Sequence, residues 1–399
     1  MPLSICHVVT AFPRSKDDII TPWLIKLLEE MKKNDLTPSV FVSSYKGLKD
    51  EEYEGIKVKR FRYFFRKYED LTHDETTPDR IKSRPWYFIH LCFYMLLGWI
   101  NLLIFVKKSK FDIVQIHWPL PHALWGFLLK KISPEVRIFH RYYGAEVRWL
   151  KHSFPVLIPV FRYLLKMADG ASANSSVTAD AVKEILGREI SYIPDGIPFE
   201  IPDKHNDLGY EILFVGRLVE RKGLPVLLKA IKILKEKYNL KLVVVGQGSE
   251  EKHLKKLALD LDINENVSFL GNLHHKGLDE RYNKAYMFVL PAVIDSKGDT
   301  EGLGVVLLEA MAYKRPVIGS NLGGIVDIII DNKTGLLVKP DDPEELANAI
   351  EKLWTDRKLA EKFAENGFKW LEEKFGWNSI VEGYKKLYGK ECNEKSSDS

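Results

Sequence analysis

Short runs of β-branched and aromatic residues recur along the chain, each followed by a turn and then a segment of helical period. The first run, 4–11 (SICHVVTA), leads through the loop FPRSKDDIITP into an amphipathic helix over about 23–33 and a second strand at 39–43 (SVFVS). Further runs follow at 111–119 (FDIVQIHWP), 136–147 (VRIFHRYYGAEV), 170–176 (GASANSS) and 190–198 (ISYIPDGIP). A polar, proline-bearing stretch at 199–209 (FEIPDKHNDLG) reads as a linker. The pattern then restarts with strands at 210–215, 241–246, 267–271 and 285–291, a helix over 303–312, and helices over 343–352 and 356–374. Strand, loop, helix and strand in repetition predict an α/β fold of two doubly wound parallel-sheet domains, 1–198 and 210–375. A polar tail at 391–399 is expected to be disordered.

One run breaks the rhythm. Residues 86–106 (WYFIHLCFYMLLGWINLLIFV) carry no charge, with Lys82 and Arg84 before them and Lys107, Lys108 and Lys110 after. The length would allow a membrane span. Two facts speak against that: a sheet strand follows Lys110 at once, and His90, Gly98 and Asn101 dilute the apolar run. A buried domain helix and a helix docked in the membrane interface both stay open.

Composition sets limits. The chain has 399 residues, 45% hydrophobic and 29% charged, as in soluble globular proteins, and enough length for large cores. Cys6, Cys92 and Cys392 are scattered, so neither a disulfide framework nor a zinc motif is predicted. The first residues lack the basic and apolar regions of a secretory signal, and a cytoplasmic location is expected. The net charge of +4 is uneven: residues 1–200 carry 29 basic and 23 acidic side chains, and 80–166 carry 14 basic against Asp112, Glu135 and Glu146 alone. An anionic partner for this half is expected, a membrane surface meeting 60–68 (aromatic and basic in alternation from Phe61) and 86–110 rather than nucleic acid.

The stretch 298–316 (GDTEGLGVVLLEAMAYKRP) carries the densest chemistry. It follows an apolar strand and opens a helix whose first N–H groups lack backbone partners, a setting for anionic or hydroxyl-rich ligands. Gly302 and Gly304 admit a ligand close to the backbone. Glu301 and Glu309, eight residues apart, would be separated by about 12 Å on a continuous helix, too far to act on one bond but suited to the two ends of a long ligand. Upstream, GRLVERKG places Arg217 and Lys222 around a turn at a strand end, a guanidinium fork and a point charge fit for a diphosphate. In GQGSEE, Glu251 stands where a dinucleotide fingerprint needs glycine. No Asp-x-Asp motif follows a strand, so no catalytic metal is expected, and no cofactor is expected besides a donor substrate.

The spacing of Glu301 and Glu309 within EGLGVVLLEAMA, the following RPVIGSNLGG, and Arg217 with Lys222 resemble the retaining nucleotide-sugar glycosyltransferases of family 4, also called glycosyl transferases group 1. The resemblance implies a GT-B fold, with a cleft between an acceptor domain and a donor domain, and a last helix at 376–390 crossing back to the first domain. It implies that Gly216, Arg217, Lys222, Leu273, Glu301, Gly302, Leu303, Gly304 and Glu309 hold the nucleotide-diphosphate sugar. Arg217 and Lys222 would stabilise the leaving diphosphate, Glu301 would contact the sugar and Glu309 the ribose. His117, ending the strand FDIVQIHWP, would face the acceptor. Tyr143 stands where such chains often have histidine, Glu146 matches an acidic position, and Asp17 and Asp18 replace a usual glycine pair; Asp18, Tyr143 and Glu146 are expected on the acceptor side.

The expected activity is hexosyl transfer, EC 2.4, with retention of configuration by front-face attack. The acceptor expected is lipid-linked or at the inner membrane face, in glycan or glycolipid synthesis. A soluble sugar or polysaccharide acceptor, or a catalytically silent binding subunit, are the alternatives.

Overall fold

The strand and helix pattern resolves into two parallel sheets, one in each of two units of the chain. The computed structural model describes residues 2–15, 18, 20–74, 77–202, 204–296 and 298–394; Asp17 lies outside them. One unit comprises Met1–Asn174, Thr178–Ile193 and Ile380–Ser399, the other Ser175–Val177 and Pro194–Ser379.

The first unit runs β1 (Leu3–Val8), α1 (Pro22–Lys33), β2 (Leu36–Ser43), β3 (Glu51–Tyr53), β4 (Ile56–Phe61), α2 (Thr77–Ser83), α3 (Tyr87–Ser109), β5 (Ile113–His117), α4 (Pro119–Ile132), β6 (Arg137–Tyr142), α5 (Ala145–Ser153), α6 (Ile158–Lys166), β7 (Gly170–Ala173), α7 (Ser176–Leu186) and β8 (Ser191–Tyr192). Its sheet has the order β3-β4-β2-β1-β5-β6-β7-β8, parallel except for the β3–β4 hairpin. That hairpin is absent from the sequence reading, although IKVKRF alternates and Gly55 supplies a turn at φ 72°. The chain leaves β1 to one side through β2 and returns on the other through β5. The strand order therefore reverses between β1 and β5, where an open α/β sheet forms its ligand crevice. The first strand ends at Val8 rather than at 11, and the 190–198 run yields only a two-residue strand.

The second unit runs β9 (Glu211–Val215), α8 (Leu224–Leu234), β10 (Leu242–Val245), α9 (Glu251–Asp260), β11 (Val267–Phe269), α10 (His275–Lys284), β12 (Ala285–Leu290), α11 (Val305–Ala312), β13 (Val317–Ser320), α12 (Ile325–Ile328), β14 (Gly335–Val338), α13 (Pro343–Thr355) and α14 (Arg357–Trp370). Its sheet order is β11-β10-β9-β12-β13-β14, all parallel, with the reversal between β9 and β12. All residues of β9, β10 and β12 are buried, as expected for strands covered on both faces. The last helix, α15 (Trp377–Glu394), returns to the first unit from Ile380. Its helical backbone takes in 391–394, four residues of the segment expected to be disordered, because no glycine or proline interrupts ECNE; 395–399 lie outside the described residues.

Helix α3 is apolar on both its packed and its outward face. Tyr87, His90, Tyr94, Gly98, Leu102, Phe105 and Val106 form its buried face. A side chain at Gly98 would run into Trp125, so glycine there lets α4 pack closely. His90 and Gly98, expected to dilute the apolar run, thus lie on the packed face, and Asn101 bonds back to Leu97 O at 2.8 Å. The outward face is apolar throughout: Phe88 and Ile104 are 60% exposed, and Ile89, Phe93, Leu96 and Ile100 are also exposed. Of the described helices, α3 alone is long and apolar enough to cross a membrane, and 33% of its apolar stretch is buried.

Candidate functional site

In the second unit, the loops that leave β9, β10, β12 and β13 meet at the strand ends around close backbone contacts. A Cβ on Gly223 (φ 67°) would lie 1.7 Å from Pro291 O, and one on Gly323 would lie 2.2 Å from Glu301 O. Similar clashes, at 2.0 Å with Gly216 O and 2.2 Å with Gly302 O, exclude side chains at Gly246 and Gly324. Only glycine permits this convergence.

Glu301 occupies the middle of it. Its carboxylate is buried and accepts from Lys222 Nζ at 2.5 Å and from Arg221 at 3.1 Å. Burial alone would raise its pKa, but the charges and hydrogen bonds of Lys222 and Arg221 outweigh that and hold it below the usual carboxylate value. The 3-10 turn Glu220–Lys222 presents both cations, and it is tied to the loop after β12 by Ser296, which donates to Glu220, and by Val293 N, which donates to Arg221 O. Lys222 also passes over Gly216, with Cε 3.6 Å from where a Cβ would stand. Arg217, by contrast, is exposed and has no ion pair or side-chain hydrogen bond among the described residues. Arg221 lies outside the expected donor set; its signal in the sequence is the adjacent Arg-Lys pair, which a single 3-10 turn carries.

The glutamate pair departs from expectation. Gly304 adopts φ 90°, so α11 begins at Val305 rather than 303, and the segment 301–304 is loop. The axial separation expected for a continuous helix therefore does not apply. Glu309 lies on α11 and accepts from the Tyr282 hydroxyl of α10 at 2.7 Å, with Tyr282 stacked on Tyr313 at 5.0 Å. Leu303 is buried in the core, and Leu273, just beyond β11, packs against the core half-exposed.

In the first unit, the structure brings His117, Tyr143 and Glu146 together and adds His7. His117 ends β5 and is fully buried; its Nε2 faces His7 Nδ1 at 3.0 Å and its Nδ1 faces the Tyr143 hydroxyl at 2.7 Å. Burial, then the charges of His7 and Arg141, push its pKa far down, so the ring is neutral. A neutral imidazole has one donor and one acceptor, and both are engaged. The group of this chain that reaches the surface is Tyr143, half-buried, whose N–H donates to Glu146 Oε1 at 2.8 Å. Burial raises the Glu146 pKa to about 7. Asp18 is not in this cluster: it pairs with Arg14 at 2.6 Å and accepts from Ile20 N.

Comparison with known proteins gives these features a setting. The family model for "Glycosyltransferase Family 4" matches residues 23–200, and that for "Glycosyl transferases group 1" matches 200–370. An uncharacterised glycosyltransferase of Methanocaldococcus jannaschii is 30% identical over 288 residues, covering 71% of this chain and 76% of that protein. The chain is a group 1, family 4 glycosyltransferase. It is also 30% identical to the GDP-mannose-dependent alpha-(1-6)-phosphatidylinositol monomannoside mannosyltransferase of Mycobacterium tuberculosis, over 63% of this chain and 69% of that enzyme. Two solved structures share the fold of this glycosyltransferase. Sucrose-phosphate synthase from Thermosynechococcus elongatus matches with TM-score 0.77 at 20% identity, covering 100% of both chains. HepE from Anabaena, in complex with UDP and glucose, matches with TM-score 0.70 at 15% identity, covering 97% of this chain and 100% of that one. These neighbours are GT-B glycosyltransferases, and the present enzyme is a GT-B transferase of class EC 2.4.

Proposed function

We propose that this glycosyltransferase moves a hexosyl group from a nucleoside-diphosphate sugar to an acceptor hydroxyl with retention of configuration, and that its acceptor is anchored in an anionic membrane surface. The donor reading rests on the cationic turn around Glu301 at the β9/β12 reversal. Arg217 is free to bind the diphosphate, while Lys222, already 2.5 Å from Glu301, is placed to share its charge between that carboxylate and a leaving phosphate. Glu301 contacts the sugar and Glu309 the ribose. These cations supply the positive charge the leaving group needs, so transfer proceeds without a divalent ion. The relatives and neighbours favour a purine or uridine diphosphate, since one is named for GDP-mannose and another was solved with UDP.

Acceptor location is carried by α3. Its outward stripe spans Ile89 to Ile104, about 22 Å at 1.5 Å per residue. The cations flanking it, Lys82, Arg84, Lys107, Lys108 and Lys110, are exposed and lack ion pairs among the described residues. Beside its first turn, Phe65 stands 73% exposed next to Arg66 and Lys67, joined to α3 through Phe64 and Phe93 at 5.5 Å. Apolar face, aromatic fringe and basic ends are the elements of a helix that lies in the headgroup layer on the cytoplasmic side.

Four measurements test the proposal. Melting temperature is read with GDP, UDP, ADP and their sugars; one series should raise it in the wild type and lose its effect in Arg217→Ala and Glu309→Ala. No shift with any of them contradicts the donor assignment. With the donor known, NMR of the product should show the donor's own anomeric configuration, and chelator should leave the rate unchanged. An inverted product, or loss of transfer on chelation that a divalent ion restores, overturns those parts. For the membrane, sedimentation with phosphatidylserine vesicles at low salt should carry the wild type down and leave Ile89→Ser/Leu96→Ser/Ile104→Ser in the supernatant. Wild type that stays in the supernatant removes the membrane acceptor.

A further inference from the structure

Around the His117–Tyr143 pair stand two tryptophans that the preceding roles leave unused. Trp118 follows β5 and stacks on Tyr143 with centroids 4.3 Å apart and planes 24° apart. Trp23, on the first turn of α1, lies 5.2 Å from Tyr143 and 6.1 Å from Trp118. All three rings are half-buried, so each keeps part of its surface open. They gather at the C-terminal ends of β1 and β5, where the strand order reverses.

Two observations mark this as a built site. Trp118 holds φ 49° and ψ 74°, a left-handed backbone that bulky side chains rarely adopt and that persists only where the surroundings hold it. A core role would not need a tryptophan at such a position, since asparagine or glycine fits that backbone with less strain. Second, Glu146, 93% buried by its 7% exposure, has one carboxylate oxygen on Tyr143 N and the other, Oε2, without a hydrogen-bond partner among the described residues. A buried carboxylate oxygen with open acceptor capacity, beside an aromatic cluster, is a place for a hydroxyl to donate.

We propose that Trp23, Trp118 and Tyr143 form a platform for a saturated six-membered polyol ring, a pyranose or a cyclitol, at the reacting end of the acceptor. Such a ring has a face of C–H bonds whose hydrogens carry partial positive charge and a rim of hydroxyls. One face of Tyr143 is covered by Trp118 and the Arg141 guanidinium lies 5.5 Å from its ring, so the open faces of Trp23 and Trp118 meet the C–H face, and the Tyr143 hydroxyl and Glu146 meet the rim. His117, engaged on both nitrogens by His7 and Tyr143, is then a positioning residue: it fixes which way the Tyr143 O–H points. An acyclic polyol or a simple phosphate presents no such flat apolar face and would gain nothing from the stack.

This inference rests on the transferase reading and names its acceptor class. The test is saturation-transfer NMR on the full chain with nucleoside diphosphate present. The probes are methyl hexopyranosides and myo-inositol, with mannitol and glucitol as acyclic controls. Ring C–H protons should be saturated for at least one of the two ring classes, and the hexitols should give no signal. Binding should weaken about 2- to 12-fold in Trp118→Ala and in Trp23→Ala, and be largely kept in Trp118→Phe. The pyranoside and inositol arms tell which ring is meant. Ring and acyclic probes giving equal signals, or signals unchanged in both alanine variants, overturn the platform. The nucleotide-induced rise in melting temperature is recorded on the same samples. Its absence in the wild type counts against the transfer reading, whereas its presence with no ring signal counts against the platform alone.

Discussion

Glu146 shows how far surroundings can change one side chain. Burial lifts its carboxyl to about 7, against the opposing hydrogen bonds from Tyr143 N and its own N–H and the charges of Arg148 and Arg141, with Tyr142 also nearby. In the unfolded chain the value is near 4.5. The folded form therefore holds the proton more tightly, and this residue's favourable contribution is complete below that value and lost as pH rises through about 7. Glu146→Gln keeps an acceptor for Tyr143 N and removes the titration. Between about pH 5 and pH 8 the wild type should lose stability relative to this variant by on the order of 1–3 kcal/mol, read from urea midpoints. Parallel midpoints at both pH values would contradict it. At Glu301 the sign is reversed: its depressed pKa contributes stability above the usual carboxylate range that is lost on acidification. Removing one of its two cations should be graded in kinetics. Arg221→Ala should lower kcat/KM about 10- to 100-fold, and Lys222→Ala about 10²- to 10³-fold, with measured equality of the two counting against Lys222 as the leaving-group contact.

At the scale of elements, what could be read from the chain was whatever the periodicity and glycine spacing encode. The strand at 285–291 and the turn GRLVERKG were visible because buried strands and cationic turns have local signatures. The start of α11 was not, because a Gly-Leu-Gly sequence fits both a helix N-terminus and a left-handed cap; only the packing of Gly323 and Gly324 against 301–303 decides between them. Nor was the His7–His117 contact, between strands 110 residues apart in sequence. The packed face of α3 was equally hidden, since in a helix apolar all round it is Trp125 meeting Gly98 that decides which face is buried. Arg315 shows the same dependence on distant partners. It is buried, and its guanidinium donates to the carbonyls of Asn206, Asp207, Ala285 and Tyr313, pinning 205–209 to the start of β12. Arg315→Ala would leave these carbonyls without a donor and open a cavity, costing about 3–5 kcal/mol in chemical denaturation. Arg315→Lys should recover less than half of that, because an ammonium cannot match the fork.

At the scale of the whole molecule, the first unit is assembled from two distant pieces of sequence. Tyr388 of α15 donates its hydroxyl to Gln115 on β5 and packs edge-on against Phe139 at 5.1 Å, while Tyr384 lies 5.7 Å from the Arg141 guanidinium. These contacts sit under β5, which ends in His117, and β6, which leads into Tyr143. A chain ending at 376 should therefore keep the nucleotide-induced rise in melting temperature while losing cooperative melting of its first unit; unchanged melting of that unit would contradict the assignment.

The order of synthesis adds a consequence. Residues 194–379 must leave the ribosome before the helix that finishes the first sheet, an interval of roughly 10–40 s at 5–20 residues per second. During that interval the sheet of the nascent first unit lacks the Tyr384 and Tyr388 cover. The first sheet therefore stays unfinished until the whole second unit has been made.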